Sequence, residues 1–72
     1  MTAYEAVILF KNDCEKAGWE RIVRRYNGRN VSTLVRHIAI TYGIMRKADV
    51  EKALRQEFEK TLNEMTVNAQ NI

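Results

Sequence analysis

A chain of 72 residues supports one small domain of thin stability. A single cysteine, Cys14, and a single histidine exclude an intramolecular disulfide and the usual metal-binding spacings. The net charge is +3, and the longest apolar run, Ala6 to Phe10, falls far short of the roughly 20 residues that span a bilayer, so a cytoplasmic protein without a membrane segment is expected.

Proline is absent and glycine occurs only at 18, 28 and 43. The residues that most often build hairpins and interrupt helices are therefore scarce, and an all-α domain follows. Its expected elements are four helices at about 3–17, 19–26, 31–38 and 41–48, and a C-terminal helix at 50–66.

Thr2-Ala3-Tyr4-Glu5 has capping-box spacing: the Thr hydroxyl accepts from the first turn while the Glu reaches back. Beyond it, Tyr4, Val7, Ile8, Cys14 and Ala17, with Phe10 nearby, give an amphipathic stripe to about residue 17, where Gly18 is a stop or kink. The run 6–10 is apolar almost all round, wider than one neighbour needs. It reads either as an oligomer contact or as a core helix covered on two sides by its own chain.

Trp19, Ile22, Val23 and Tyr26 fall at i, i+3, i+4 and i+7, a core-facing stripe that leaves Arg21, Arg24 and Arg25 on other faces. Asn27-Gly28-Arg29 is the exit of this helix, since Asn and Gly tolerate the left-handed backbone that ends helices. Asn30 or Ser32 can cap the next one, whose apolar face is Leu34, Val35 and Ile38.

The stretch from 30 to 51 fits two geometries. In the bent one, Ala39-Ile40-Thr41 is a turn, Ile40 plugs the gap between two helices, and Thr41 caps a helix that carries Met45 and Ala48 inward. Tyr42, Arg46 and Lys47 then project outward. In the unbroken one, Val31, Leu34, Val35, Ile38 and Tyr42 form a single stripe that Gly43 terminates.

Further on, Val50, Ala53, Leu54, Phe58, Thr61, Leu62 and Met65 form a strong stripe, rotated by nearly half a turn relative to Met45 and Ala48 on a continuous helix. Asp49 can cap a new helix there. Residues 67–72 carry no stripe and are expected to be a flexible tail.

Charge is segregated along the chain. Arg21, Arg24, Arg25, Arg29, Arg36, Arg46 and Lys47 occur with no Asp or Glu anywhere between 21 and 47, while both flanks are net acidic. Solvated basic faces usually interleave acids as i,i+4 pairs. An acid-free basic span points to a polyanion, of which nucleic acid is the commonest.

From Val23 onward the chain resembles the helix-turn-helix of the Fis family, the factor-for-inversion-stimulation proteins, shared with the C-terminal domains of nitrogen-regulator-type activators. The matching residues are Val23, Tyr26, Asn30, Ser32, Leu34, Val35, Ile38, Ile40, Gly43, Met45, Arg46 and Lys47. In the turn the family usually has Gly, where this chain has Ala39. It usually has Leu two residues after the Arg-Lys pair, where this chain has Asp49.

The resemblance, which covers residues 23–47 only, implies the bent geometry, a helix-turn-helix at 31–48 within a unit 19–48; the residues themselves give an oligomerisation or core helix at 1–18 before it and a dimerisation or bracing helix at 49–66 after it. It implies a small homodimeric regulator of transcription or DNA architecture that binds double-stranded DNA and associates with the nucleoid. The segment 41–48 would lie in the major groove, with Tyr42, Arg46 and Lys47 reaching bases or phosphates. Thr41 would meet a phosphate at the helix N-terminus. Asn30 and Ser32, aided by Arg29, Arg24, Arg25 and Arg36, would form a second phosphate site.

The competing class is a small protein-binding adaptor or inhibitor, of the phage or mobile-element type. Its basic middle would dock an acidic patch on a larger machine such as a polymerase of the transcription apparatus. An enzyme is not expected, because no paired carboxylates, activated nucleophile or Gly-rich phosphate loop is present, and no cofactor or metal is implied.

Overall fold

The computed structural model describes residues 1–70, with side chains described to Val67. It is all-helical: α1 (Ala3–Asp13), α2 (Glu15–Tyr26), α3 (Val31–Tyr42) and α4 (Lys47–Gln70). α4 is the spine, on which α1, α2 and α3 all pack. At 24 residues it is about 36 Å long at 1.5 Å per residue, and it sets the long axis of a molecule measuring 43 × 21 × 16 Å.

α1 begins with the expected capping box: the Glu5 amide donates to Thr2 Oγ1 and the Thr2 amide donates to Glu5 Oε1, each at 3.1 Å. It ends at Asp13, not near residue 17. Cys14 closes it by donating its amide to the Phe10 carbonyl, and Glu15 then takes a left-handed φ of 60°. The chain turns at that point, and Gly18 lies inside α2 as an ordinary helical residue. α2 accordingly starts at Glu15 rather than 19. Its stripe is as expected, with Trp19 and Val23 buried and Ile22 and Tyr26 half-buried.

α3 decides between the two geometries of the central stretch. It runs unbroken from Val31 to Tyr42, with Leu34, Val35, Ile38 and Ala39 buried and Val31 and Tyr42 packed beside them. The expected helices 31–38 and 41–48, and the helix-turn-helix they would form, are absent. Ala39 explains why. A left-handed turn there costs Ala roughly 1 kcal/mol more than Gly, whereas helix buries its methyl in the core.

The end falls at Gly43, with φ of 70°. The Ile44 amide donates to the Ala39 carbonyl at 2.9 Å, the six-to-one bond that closes a helix after a left-handed glycine. Ile40, expected to plug an interhelical gap, is 70% exposed, and Thr41 lies within α3 rather than capping a helix. Met45 and Ala48, expected inward, are exposed. Asn30 does occupy the cap position of α3, but with φ of 50° and no side-chain cap bond.

α4 begins at Lys47, so it takes in only the last two residues of the expected helix 41–48 and runs on without a break through the expected helix 50–66. Asp49 sits in its first turn, where a carboxylate opposes the positive end of the helix. The stripe expected from Val50 onward faces inward, with Val50, Ala53, Leu54, Phe58 and Thr61 buried. Residues 67–70, expected to be tail, continue the helix, while 71 and 72 lie outside the described residues.

Two polar groups sit inside this core and both are partnered. The Trp19 indole N–H donates to Thr61 Oγ1 at 2.8 Å, and that hydroxyl donates to the Glu57 carbonyl at 2.8 Å. An orphaned indole N–H at this depth would cost about 1–3 kcal/mol. Glu57, 4% exposed, accepts from Lys11 Nζ at 3.2 Å, so a buried carboxylate ties α4 to α1.

Candidate functional site

The inward stripe of α2 leaves Arg21, Arg24 and Arg25 in solvent, and that of α3 leaves Ser32, Thr33, Arg36, His37, Ile40 and Thr41. The two helices are not closely packed on each other. A cleft of about 370 Å³ opens between them. Ile22, Tyr26, Leu34 and, from α1, Phe10 contribute its apolar surface; Arg21 and Arg25 come from α2, and Thr33 and His37 from α3.

Aromatic contacts hold parts of this arrangement. The His37 ring stands edge-on to Phe10, centroids 5.9 Å apart at 69°, and the Arg25 guanidinium lies 5.8 Å from the centre of the Tyr26 ring. Such a contact restrains the guanidinium without neutralising it.

A second groove, about 470 Å³, runs beside the first, where Ser32, Thr33, Val35 and Arg36 of α3 face Lys47, Ala48 and Glu51 of α4. Four expected site residues, Asn30, Ser32, Arg36 and Lys47, are therefore exposed at or near this edge. Arg24, Arg25 and Arg29 are exposed on and just after α2.

The electrostatics of the face are one-sided. Among the described residues the ion pairs are Lys11–Glu57, Arg46–Asp49 and Arg55–Glu51. Arg21, Arg24, Arg25, Arg29, Arg36 and Lys47 have no carboxylate of the described residues within 4.0 Å.

The remaining expected residues lie apart from this edge. Tyr42 is half-buried and donates its hydroxyl to Asp13 at 3.2 Å, joining the end of α3 to the end of α1. Burial, then that hydrogen bond and the charge of Asp13, push the phenol above its ordinary value of 10.0. Arg46 stands in the segment between α3 and α4, paired with Asp49 at 3.4 Å. It borders a third groove of about 560 Å³ that also takes in Met1, Tyr4, Ile44 and Met45. Thr41 is exposed inside α3 with no free helix amide beside it.

Sequence reasoning missed Arg21, Thr33 and His37 as parts of one cleft. The only sequence signal was their spacing, with Arg21 and Arg25 one turn apart on α2 and Thr33 and His37 one turn apart on α3.

Fold and face together define a small all-helical protein with one side rich in exposed cations that have no carboxylate partner among the described residues. Among the described residues no helix is long and apolar enough to cross a membrane, and no group of His, Cys, Asp and Glu is arranged to hold a metal ion. Comparison with models of protein families, with characterised proteins and with solved structures finds no match.

Proposed function

We propose that this protein is a small helical binding module that docks an acidic surface of a larger protein through the face formed by α2 and α3. The observation that carries the reading is the set of six exposed cations, Arg21, Arg24, Arg25, Arg29, Arg36 and Lys47, on α2, the loop after it, α3 and the start of α4, without a carboxylate partner among the described residues. Unpaired like charges raise the local potential, speed encounter with an acidic partner and reject basic ones. The same face interleaves apolar groups, with Ile40 70% exposed and Phe10, Ile22, Tyr26 and Leu34 lining the cleft, which suits a protein surface better than a phosphate backbone.

Double-stranded DNA is the second reading, favoured by the absence of any acid from 21 to 47. In the Fis-like mode a short helix at 41–48 enters the major groove. Here α3 passes through Thr41 and Tyr42 without a corner, Arg46 is paired in a connecting segment, and Lys47 opens a helix that packs on α3. What remains for DNA is contact between exposed cations and phosphates, with no recognition helix. For a homodimer, the exposed Met1, Tyr4, Leu9 and Met45 offer apolar surface for self-association.

A mobility titration on random duplex DNA at about 50 mM and about 200 mM salt separates the two readings. Sedimentation of the free protein runs alongside. A protein-docking module shows no useful duplex affinity at the higher salt. Affinity that persists there and falls linearly in log salt, and that is lost when Arg24, Arg25 and Arg36 are changed to Glu, would establish nucleic acid as the ligand instead.

A further inference from the structure

The cleft between α2 and α3 differs from the rest of the basic face in joining charge to an apolar lining. Arg21 and Arg25 lie one helical turn apart, roughly 6 Å, along α2. Thr33 and His37 lie one turn apart along α3. Between them, Phe10, Ile22, Tyr26 and Leu34 line about 370 Å³ of open volume. That volume is at the low end of the roughly 300–1,000 Å³ that ligand clefts span, room for one large side chain rather than a folded segment.

We propose that this cleft takes one aliphatic anchor from an acidic amphipathic helix of the partner, whose carboxylates one turn apart meet Arg21 and Arg25. The inference rests on the docking reading above and names the partner's chemistry.

Charge complementarity selects that occupant. Neither guanidinium has a carboxylate partner among the described residues, and both flank apolar lining that a purely polar ligand would leave unfilled. A helix supplies both features at once, because residues four apart project from the same face while the adjoining stripe carries an apolar side chain. Arginine suits the task, since its planar fork binds a carboxylate through two parallel hydrogen bonds and its stem packs on apolar neighbours. On the other wall, Thr33 and His37 offer a hydroxyl and a ring nitrogen to the partner's polar edge. The groove at Met1, Tyr4 and Met45 is larger, but Arg46 on its rim is already paired with Asp49.

The test uses two fluorescently labelled acidic peptides of about 18 residues, long enough to form helix. Both carry Glu pairs one turn apart; one has a Leu on the adjoining stripe and the other has Ala in its place. Each is titrated by anisotropy against the full chain, against Thr33→Trp, which fills the cleft mouth without altering charge, and against the Arg21→Glu, Arg25→Glu double variant.

On the unmodified chain the Leu peptide is expected to bind about tenfold more tightly than the Ala peptide, the gain from burying one aliphatic side chain in part. Thr33→Trp should erase that difference while still binding the Ala peptide, and the double variant should lose both. Equal affinities of the two peptides for the unmodified chain, with binding lost in the double variant, overturn the cleft proposal and leave the docking reading standing. Binding of both peptides undiminished in the double variant overturns both. Should Thr33→Trp fail to fold, the ratio of the two peptides on the unmodified chain decides alone.

Discussion

Tyr42 shows how a residue that sequence placed on a DNA-facing surface works instead as a tie. Its hydroxyl reaches Asp13 at 3.2 Å and joins two helix ends across the molecule. The phenol is held above its ordinary value first by burial and then by the bond to Asp13 and that residue's charge, so folding favours the neutral form. A group raised in this way contributes stability that is complete below its unfolded value of 10.0 and is lost as pH rises through the folded value. Cys14 is raised from 9.0 by burial and by Asp13, so the comparison belongs in a Cys14→Ser background. There, Tyr42→Phe should flatten the fall in urea midpoint between about pH 9 and about pH 11. A fall as steep with Phe as with Tyr would mean that the bond to Asp13 contributes nothing. Glu5 is the acidic counterpart, lowered by the Thr2 amide and hydroxyl, so its share is lost as pH falls through its folded value.

At the scale of elements, the sequence was most legible where stripe and stop signal agreed. The capping box at Thr2, the stripe through Trp19 and Val23 and the stripe from Val50 to Thr61 all lie where periodicity put them. Residues 38–42 were not decided by pattern, because the apolar positions fit two phases. Helical burial of Ala39 and the left-handed stop at Gly43 settle them in favour of the straight helix. The break between α1 and α2 left only the weak signal of Asn12-Asp13, since Cys14 and Glu15 are not turn residues and the nearby Gly18 looked like the stop. The cleft was illegible for a different reason. Phe10, Arg25 and His37 come from three helices, and only tertiary packing, of α1 on both α2 and α3, brings them together.

The misplaced break carries its own prediction. A Cβ at Gly18 would meet only Cys14 Cβ, at 3.8 Å, an ordinary contact inside a helix. Gly18→Ala should therefore stabilise the protein by about 0.5–1 kcal/mol, through lower backbone entropy in the unfolded chain and better helix propensity. Were Gly18 a kink or stop, the same change would destabilise, and a chemical denaturation curve gives the sign directly.

For the whole molecule, the controlling feature is that α1 and α4 pack on each other and each also touches both α2 and α3. α2 reaches α4 mainly through Trp19, whose ring lies 5.5 Å from Phe58 and whose N–H is held by Thr61. The basic face is thus carried on the α1–α4 pair and has no separate core. Leu54, fully buried near the middle of α4, belongs to the one apolar cluster that all four helices share. Truncating such a residue costs about 2–5 kcal/mol. A chain of 72 residues has, at the usual 0.05–0.15 kcal/mol per residue, only about 4–11 kcal/mol in total. Leu54→Ala should therefore remove a large share of the stability, and near-ultraviolet dichroism from Trp19 should be lost together with far-ultraviolet helicity. If the Trp19 signal were lost well before helicity, α2 would be coming off an intact α3–α4 pair. The cleft would then be a separable flap rather than part of one cooperative unit.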